Sequence, residues 1–229
     1  MALAAAISFN SCKQDDNTST DNGSGDGDKT GSAAFSIKYD EGDNCYTILT
    51  VSDDGSQKRL DHFWEYEDYQ DEDGNQLSEP IKHVDHAIYL RSKEGNFVYD
   101  TSEEAEWIES INGAIYANTY HSEHKNFSKY YIQYSGFTET GTEKILGFTC
   151  KKYAGVRSEE QKVGHYGEFG LAGAKLEIVV ANDLVFRLAE EYWVTDDQTV
   201  MRDVLKAVAY TTKVPDKAFT KTLDIDWIK

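Results

Sequence analysis

The chain has 229 residues, enough for one or two domains of ordinary size. Its 41 acidic residues outnumber its 23 lysines and arginines, and the formal net charge of −18 argues against nucleic acid or an anionic membrane surface as an electrostatic partner. Hydrophobic residues make up 39% of the chain, so most of it should fold around a core, and no run of about 18 apolar residues predicts a membrane-spanning helix.

The first residues have the pattern of an export signal. A short apolar stretch, residues 2–9, is followed by the small polar residues Asn10 and Ser11 and then by Cys12. This order resembles the end of a bacterial lipoprotein signal, in which the cysteine receives a thioether-linked lipid. A secretory signal normally begins with a basic region. Because no Lys or Arg precedes Cys12, we expect residues 1–11 to be the remnant of a longer signal peptide.

The segment behind Cys12 is polar and acidic. Residues 13–31 contain no aliphatic side chain, so they cannot bury enough surface to offset the entropy lost on ordering. We therefore interpret residues 12–33 as a lipid-attachment cysteine and a flexible acidic tether. A cysteine followed by acidic residues resembles the outer-membrane lipoproteins of Bacteroidota-type envelopes. The resemblance implies attachment to the membrane through the lipid, on a protein that faces either the cell surface or the periplasm.

The sequence after the tether predicts β-strands. Runs of alternating, β-branched or aromatic residues indicate the strands, and turn signals at residues 52–56 and 93–96 separate some of them. The predicted strands cover residues 35–39, 45–51, 58–65, 81–90 and 97–99. Between the third and fourth strands, residues 67–79 are so acidic that we expect a solvated loop.

One helix is predicted next. Thr101 and Glu104 have the spacing of a capping box at a helix N-terminus. Apolar residues then recur every three or four positions and define one apolar face: Ala105, Ile108, Ile111 and Ile115. Gly113 weakens the end of this helix.

The second half of the chain predicts more strands. They cover residues 127–134, 143–153, 175–180, 184–193 and 200–210, with a turn at 136–141 and a Gly-rich, poorly periodic stretch at 155–173. The last strand also fits a helix, but residues 195–198 suit a hairpin turn, which favours the strand. The expected fold is mainly β (α+β): one domain, residues 34–229, built as a curved antiparallel sheet or half-open barrel with one or two helices.

Residues 142–153, with Gly147 before an aromatic residue and Cys150 before two lysines, resemble a strand common in envelope proteins of the lipoprotein-carrier superfamily. A Tyr-Trp-Val strand before an Asp-rich turn and the closing residues 215–219 fit the same pattern. Over residues 127–220 the resemblance implies a half-open antiparallel barrel around a helix. Members of that superfamily typically shelter acyl chains or other apolar ligands in the concave face, and no catalytic residue carries over.

The cysteines leave two alternatives open. Without Cys12, an even pair remains, Cys45 and Cys150, in a compartment that the export signal predicts to be oxidising. They are a candidate disulfide, provided that their Cα atoms come within about 7 Å. Two buried thiols are the alternative.

Two His-x-x-His pairs are a weak candidate metal site: His83 with His86, and His121 with His124. Imidazole is a common zinc and copper ligand. Third-residue spacing brings both rings to one side of a helix or turn, but sends them to opposite faces of a strand. Because residues 81–90 predict a strand, the first pair is poorly placed to share a metal, and surface histidines need no ligand.

Exposed aromatic rings beside carboxylates are typical of sugar-binding surfaces. Four tyrosines are candidates for stacking on a glycan, two in the acidic loop and two after the predicted helix: Tyr66, Tyr69, Tyr116 and Tyr120. Core packing explains most aromatic residues equally well.

The sequence contains no Gly-x-Ser-x-Gly, phosphate-binding loop or His-Glu-x-x-His motif, so we expect neither an enzyme nor a cofactor. The leading hypothesis is a lipid-anchored envelope protein that binds or carries an apolar, lipid-like ligand or serves a structural role. The alternative is a surface glycan-binding accessory lipoprotein, and a weaker one is a metal-binding envelope protein.

Overall fold

A computed structural model describes residues 33–42, 44–70, 74–103, 105–125, 134–157, 172–195 and 198–229. The described elements are eleven strands, one α-helix and a short 3-10 helix. In chain order they are β1 Phe35–Gly42, β2 Cys45–Val51, β3 Lys58–Gln70, β4 Gln76–Ser92, β5 Gly95–Asp100, β6 Ile108–Glu109, α1 Ile111–His124, β7 Tyr134–Ile145, β8 Phe148–Arg157, β9 Ala172–Ala181, β10 Leu184–Thr195, β11 Gln198–Thr211 and the 3-10 helix Asp216–Phe219. The expected class, mainly antiparallel β with one or two helices, is confirmed.

The strands form one open sheet. Their order is β6-β5-β4-β3-β2-β1-β11-β10-β9-β8-β7, so β6 and β7 are edge strands that do not pair with each other. Most neighbours are consecutive in the chain, which is typical of hairpin-connected antiparallel strands. The exception is β1, which pairs with β11 through the register Ile37↔Tyr210. The strand predicted at residues 200–210 is therefore confirmed, and its helical alternative is wrong.

The described residues group into two compact units. Residues 33–122 and 203–229 form one unit, which we call the helix-bearing unit because it contains most of α1. Described residues between 123 and 202 form the other, which we call the hairpin unit.

Helix α1 packs on one face of the sheet in the helix-bearing unit through small residues. Ala114 and Ala117 are buried, and a Cβ added at Gly113 would lie 2.2 Å from the carbonyl oxygen of Phe97. The helix backbone therefore lies directly against the sheet. Asn118 fixes the contact, because its Oδ1 accepts hydrogen bonds from Lys58 Nζ at 2.7 Å and from Arg91 Nη1 at 3.2 Å.

The α-helix begins later in the chain than the sequence predicts. The structure starts α1 at Ile111 rather than near Thr101, and the hydroxyl of Ser110 accepts the backbone N–H of Asn112. Thr101 caps no helix, because its hydroxyl accepts the backbone N–H of His86 in β4 at 2.8 Å. The isoleucine face predicted to be buried is exposed, with Ile111 at 65% and Ile115 at 50%.

The C-terminal segment packs on the opposite sheet face of the same unit. Ile228 is buried against Ile48 and Phe63, and Trp227 adjoins this cluster. The carbonyl oxygen of Thr222 accepts a hydrogen bond from a buried arginine of β3 at 2.8 Å. Both faces of this part of the sheet are therefore covered by other parts of the unit.

The hairpin unit corrects one strand prediction. Residues 143–153 are not one strand but parts of β7 and β8, because Leu146 and Gly147 turn the chain with φ values of 52° and 84°. The turn expected at residues 136–141 lies inside β7. Most of the strand predicted at 127–134 and most of the Gly-rich stretch at 155–173 lie outside the described residues.

Candidate functional site

The strands β3 and β4 extend beyond their neighbours. Strand β2 pairs with β3 as far as Trp64, and β5 pairs with β4 only from Ala87 onward. Beyond these points β3 and β4 continue to pair with each other, up to Asp68↔Ile81 and Gln70↔Gln76. We call residues 64–70 and 76–85 the ribbon. The acidic loop expected at 67–79 is thus largely strand, although residues 71–73 at its tip lie outside the described chain.

Apolar side chains of the ribbon are exposed. Tyr66 is 45% exposed, Tyr69 49%, Ile81 44% and Val84 54%. The neighbouring part of the same hairpin is buried, including Leu60, Phe63 and Ile88 in the core. The burial pattern therefore changes along a single hairpin, because no strand, helix or C-terminal segment among the described residues covers the ribbon as it covers the rest.

The ribbon presents a different set of side chains on each face. Alternation along β3 places Trp64 and Tyr66 on the sheet face that α1 covers outside the ribbon. Glu65, Glu67 and Tyr69 lie on the opposite face. The ring of Tyr66 stacks on that of His83, with centroids 4.9 Å apart and planes inclined by 16°.

The ribbon is also strongly acidic. Its 17 residues contain five carboxylates and one lysine, a net charge of −4 in a chain whose total is −18. Lys82 lies 3.7 Å from Glu67 across the strands, and the hydroxyl of Tyr69 donates to Glu67 at 3.2 Å. That hydrogen bond, and then the charge of Glu67, raise the pKa of Tyr69 above its ordinary value.

A buried polar network lies at the base of the ribbon. Arg59 and Asp61, both fully buried, form a two-bond ion pair: Nε to Oδ2 and Nη2 to Oδ1, each at 2.7 Å. Nε2 of His86 lies 3.0 Å from Oδ1 of the same carboxylate. The His86 side chain is 13% exposed, so the network reaches from the core to the surface.

The electrostatics of Asp61 favour its charged form. Burial raises the pKa of this carboxyl group, but the Arg59 charge and the hydrogen bond from His86 outweigh burial, so the pKa lies below its ordinary value. The carboxylate therefore remains ionised in the core, where it holds two partners on different strands.

Aromatic rings hold His86 in place. Its ring stacks on Phe63 with centroids 3.8 Å apart and planes inclined by 16°, and Phe63 stacks on Tyr46 at 4.5 Å. Tyr99 meets the edge of His86 at 6.3 Å. We conclude that His86 has its orientation set on two sides, by Asp61 and by the rings, which makes the base of the ribbon rigid.

The four candidate sugar-stacking tyrosines do not form one platform. Tyr66 and Tyr69 lie on opposite faces of β3. Tyr116 packs against Tyr89 at 4.6 Å. Tyr120 packs against Tyr39 at 6.3 Å, and its hydroxyl donates to Glu41 at 2.6 Å.

Glu41 also accepts a hydrogen bond from Thr47, so its carboxylate joins β1, β2 and α1. Burial, and then the charge of Glu41, raise the pKa of Tyr120 well above its usual value. Tyr120 therefore serves the packing of α1 on the sheet.

The first histidine pair is separated, as strand geometry predicts. His83 stacks on Tyr66 and His86 binds Asp61, on opposite faces of β4. His121 lies against the ring of Phe35 at 6.0 Å, and His124 is buried at the end of α1. In the part of the chain that the structure describes, no three His, Cys, Asp or Glu residues come together as metal ligands.

The two cysteines of the candidate disulfide lie in different strands. Cys45 is half-buried in β2 and Cys150 is buried in β8, and the disulfide between them stays a prediction. Cys12 lies outside the described residues. None of the described helices is both long and apolar enough to span a bilayer.

Arg59 and Asp61 are the site residues that sequence reasoning missed. They stand two positions apart in a predicted strand, which places them on one face, but a charged pair in a strand usually faces solvent. Comparison with protein-family models and with curated proteins gives no match for this chain.

Proposed function

We propose that this protein is a non-enzymatic binding protein of the cell envelope, anchored by a lipid on Cys12, which contacts its ligand through the ribbon. The observation that carries the proposal is the uncovered part of the β3–β4 hairpin, with Tyr66, Tyr69, Ile81 and Val84 exposed beside core residues of the same strands. Exposed apolar side chains that lie together among charged ones are typical of interaction sites.

The proposal places the ligand on the surface. In the helix-bearing unit, α1 and the C-terminal segment cover the two sheet faces, and the Ile48, Phe63 and Ile228 cluster fills the space beneath the C-terminal segment. An apolar ligand that required an open groove between these elements would have to displace them. A ligand that binds the ribbon displaces none of the described residues of this unit.

A glycan is the second candidate ligand, and one observation favours it. Trp64, Tyr66 and His83 lie on one face of the ribbon, with Asp85 directly across from Trp64. Rings beside a carboxylate suit the stacking and hydrogen bonding of a sugar. The Tyr66 and His83 rings stack on each other, however, so each offers a sugar only its outer side.

The anchor is tested in a Gram-negative host with a short basic leader added ahead of residue 1. We expect radiolabelled palmitate to enter the wild-type protein and the membrane fraction to retain it. Cys12→Ser should lose both, whereas Cys45→Ser should keep both. Equal labelling of the wild type and Cys12→Ser would refute the anchor.

The binding surface is tested by photo-crosslinking in the same cells, which captures protein and glycan ligands alike. A photoreactive phenylalanine replaces Tyr66 or Tyr69 on the ribbon, or the exposed Ile115 or Leu223 outside it in the same unit. We expect adducts from the two ribbon positions and none from the other two. Adducts at all four positions, or at none, would overturn the ribbon as the binding surface.

A further inference from the structure

We propose that the ribbon docks an extended, basic segment of a partner polypeptide. This inference rests on the proposed function and names the class of ligand. The occupant follows from three features of the ribbon: its charge, its exposed apolar side chains and its open backbone edges.

The charge selects a cationic partner. The ribbon's net charge of −4 is more than a fifth of the −18 of the whole chain, in 17 of its 229 residues. Glu65 and Glu67 share one face with Lys82, the one cation of the ribbon, so negative charge is in excess there. A cationic ligand complements this excess, and the field of the ribbon accelerates its approach.

The exposed apolar side chains select a polypeptide over a simple counter-ion. Tyr69 and Val84 lie on the face that carries Glu65 and Glu67, while Tyr66 lies on the other with His83. An extended partner segment that alternates basic and apolar residues can contact both the carboxylates and the exposed apolar side chains of the ribbon. This is because successive side chains of an extended segment point to opposite sides. Lysine and arginine stems also pack along tyrosine rings while their charged ends reach carboxylates.

The backbone supplies the third feature. Among the described strands, none pairs with β3 beyond Trp64 or with β4 before Ala87. Apart from the Glu65 N–H, which donates to the Asn44 carbonyl oxygen at 3.1 Å, both edges of the ribbon therefore stay available for pairing. Pro80 removes one donor from the β4 edge, a device typical of edge strands. The stretch from Tyr66 to Gln70 on the β3 edge contains no proline. An added strand would therefore pair more completely with β3.

The same charge excludes other occupants. A second copy of this chain would bring its own acidic ribbon, and nucleic acid or an anionic bilayer would bring phosphates. A neutral glycan could use the Trp64, Tyr66 and His83 face, but the negative charge of the ribbon would not attract it.

The test titrates the full-length protein with synthetic ten-residue peptides and measures heat of binding at two ionic strengths. The probe alternates lysine and valine. The controls alternate glutamate and valine, or lysine and glycine. A soluble neutral β-glucan is the glycan arm.

Two charge-matched variants separate the ribbon from general electrostatics. The ribbon variant carries Glu65→Gln, Glu67→Gln and Asp68→Asn. The control variant carries Asp53→Asn, Glu94→Gln and Glu103→Gln, exposed positions away from the ribbon, so both variants have the same net charge. Unfolding curves verify that each variant is folded. A third variant, Tyr66→Ser, removes an exposed ring.

We expect the lysine–valine peptide to bind the wild type, and to bind the ribbon variant about tenfold more weakly but the control variant less than twofold more weakly. The lysine–glycine peptide should bind several-fold more weakly than lysine–valine, and added salt should weaken both. No binding of lysine–valine, or an equal loss in the two charge variants, would overturn the inference.

The glycan arm distinguishes this inference from the proposed function. Binding of the β-glucan that Tyr66→Ser abolishes, without binding of the basic peptide, would overturn the basic partner and leave the ribbon as the binding surface. If no crosslinks form in cells at positions 66 and 69, the proposed function itself is refuted, whether or not the peptides bind.

Discussion

Asp61 accepts both hydrogen bonds of the Arg59 fork, from Nε and from Nη2, each at 2.7 Å and with both side chains fully buried. The same carboxylate lies 3.0 Å from Nε2 of His86 on the adjacent strand. Each buried charge is stabilised by the other, so removing either residue leaves its partner in the core without a counter-charge.

The first prediction concerns this dependence. Asp61→Asn should lower the free energy of unfolding by about 3–5 kcal/mol, because it leaves the Arg59 charge buried without a counter-charge. Urea denaturation followed by far-UV circular dichroism measures the change. The double variant Arg59→Met/Asp61→Leu should lose much less, since it removes both charges together. Asp53→Asn, an exposed control, should be within about 0.5 kcal/mol of the wild type. Equal losses in the single and double variants would contradict the ion-pair account.

The second prediction is a pH dependence. The pKa of Asp61 is lowered in the folded state, whereas an unfolded aspartate titrates near 3.9. The stabilisation from ionised Asp61 is therefore present above about pH 4 and lost as the pH falls through the lower folded-state value. Urea titrations at pH 7, 5, 4 and 3 test this. The wild type should lose more stability below pH 4 than the Arg59→Met/Asp61→Leu variant, and parallel pH profiles would disprove the link to Asp61.

The third prediction concerns the contact between α1 and the sheet. Alanine normally stabilises a helix relative to glycine by about 1 kcal/mol. At Gly113 the added Cβ would lie 2.2 Å from the Phe97 carbonyl oxygen and 2.7 Å from that of Leu90, both backbone atoms that cannot move aside easily. Gly113→Ala should therefore destabilise the protein by about 1–3 kcal/mol, as overpacking does. Asn112→Ala, on the exposed neighbour, should be neutral or stabilising in the same denaturation assay.

The fourth prediction separates the two faces of α1. Ile115 is 50% exposed, so Ile115→Gln should change the free energy of unfolding by no more than about 0.5 kcal/mol. Ala117 is fully buried, so Ala117→Leu should cost about 1–3 kcal/mol. Melting temperatures of the two variants, measured side by side, provide the comparison. A large loss from Ile115→Gln together with a neutral Ala117→Leu would mean that the helix faces the other way.

Much of the strand pattern is predictable from the sequence. β1 alternates apolar and polar residues, and β2 is an apolar, β-branched run because most of its residues are buried. The length of the hairpin β3–β4 is less predictable, because strands exposed on both faces show no such alternation. In the ribbon β3 and β4 pair only with each other among the described strands, and the acidic composition of residues 67–79 is equally typical of a loop.

The helix shows why a hydrophobic period can mislead. Ile108, Ile111 and Ile115 have helical spacing, yet all three are exposed. The buried face consists of Gly113, Ala114 and Ala117, whose small side chains carry little hydrophobic signal although they allow the closest packing. Steric fit decides the orientation here, and steric fit depends on the partner surface, which the local sequence does not contain.

The buried ion pair is unpredictable for a related reason. Arg59 and Asp61 become core residues only because Thr222 and Trp227, far along the chain, cover them: the Thr222 carbonyl accepts from Arg59, and the Trp227 ring lies 5.4 Å from its guanidinium carbon. A strand considered alone gives no indication of such a cover. The surroundings of the candidate tyrosines and histidines are likewise set by contacts with residues of other strands. Residue type alone does not predict these contacts.

The pairing of β1 with β11 has a consequence for biogenesis. Ile37 and Tyr210 are partners, so one edge of β1 stays without its neighbour until the ribosome has added more than 170 further residues. Pairing between strands that are distant in sequence slows folding. An unpaired strand edge is a site at which aggregation starts. We expect newly made chains to need protection by a chaperone until β11 arrives.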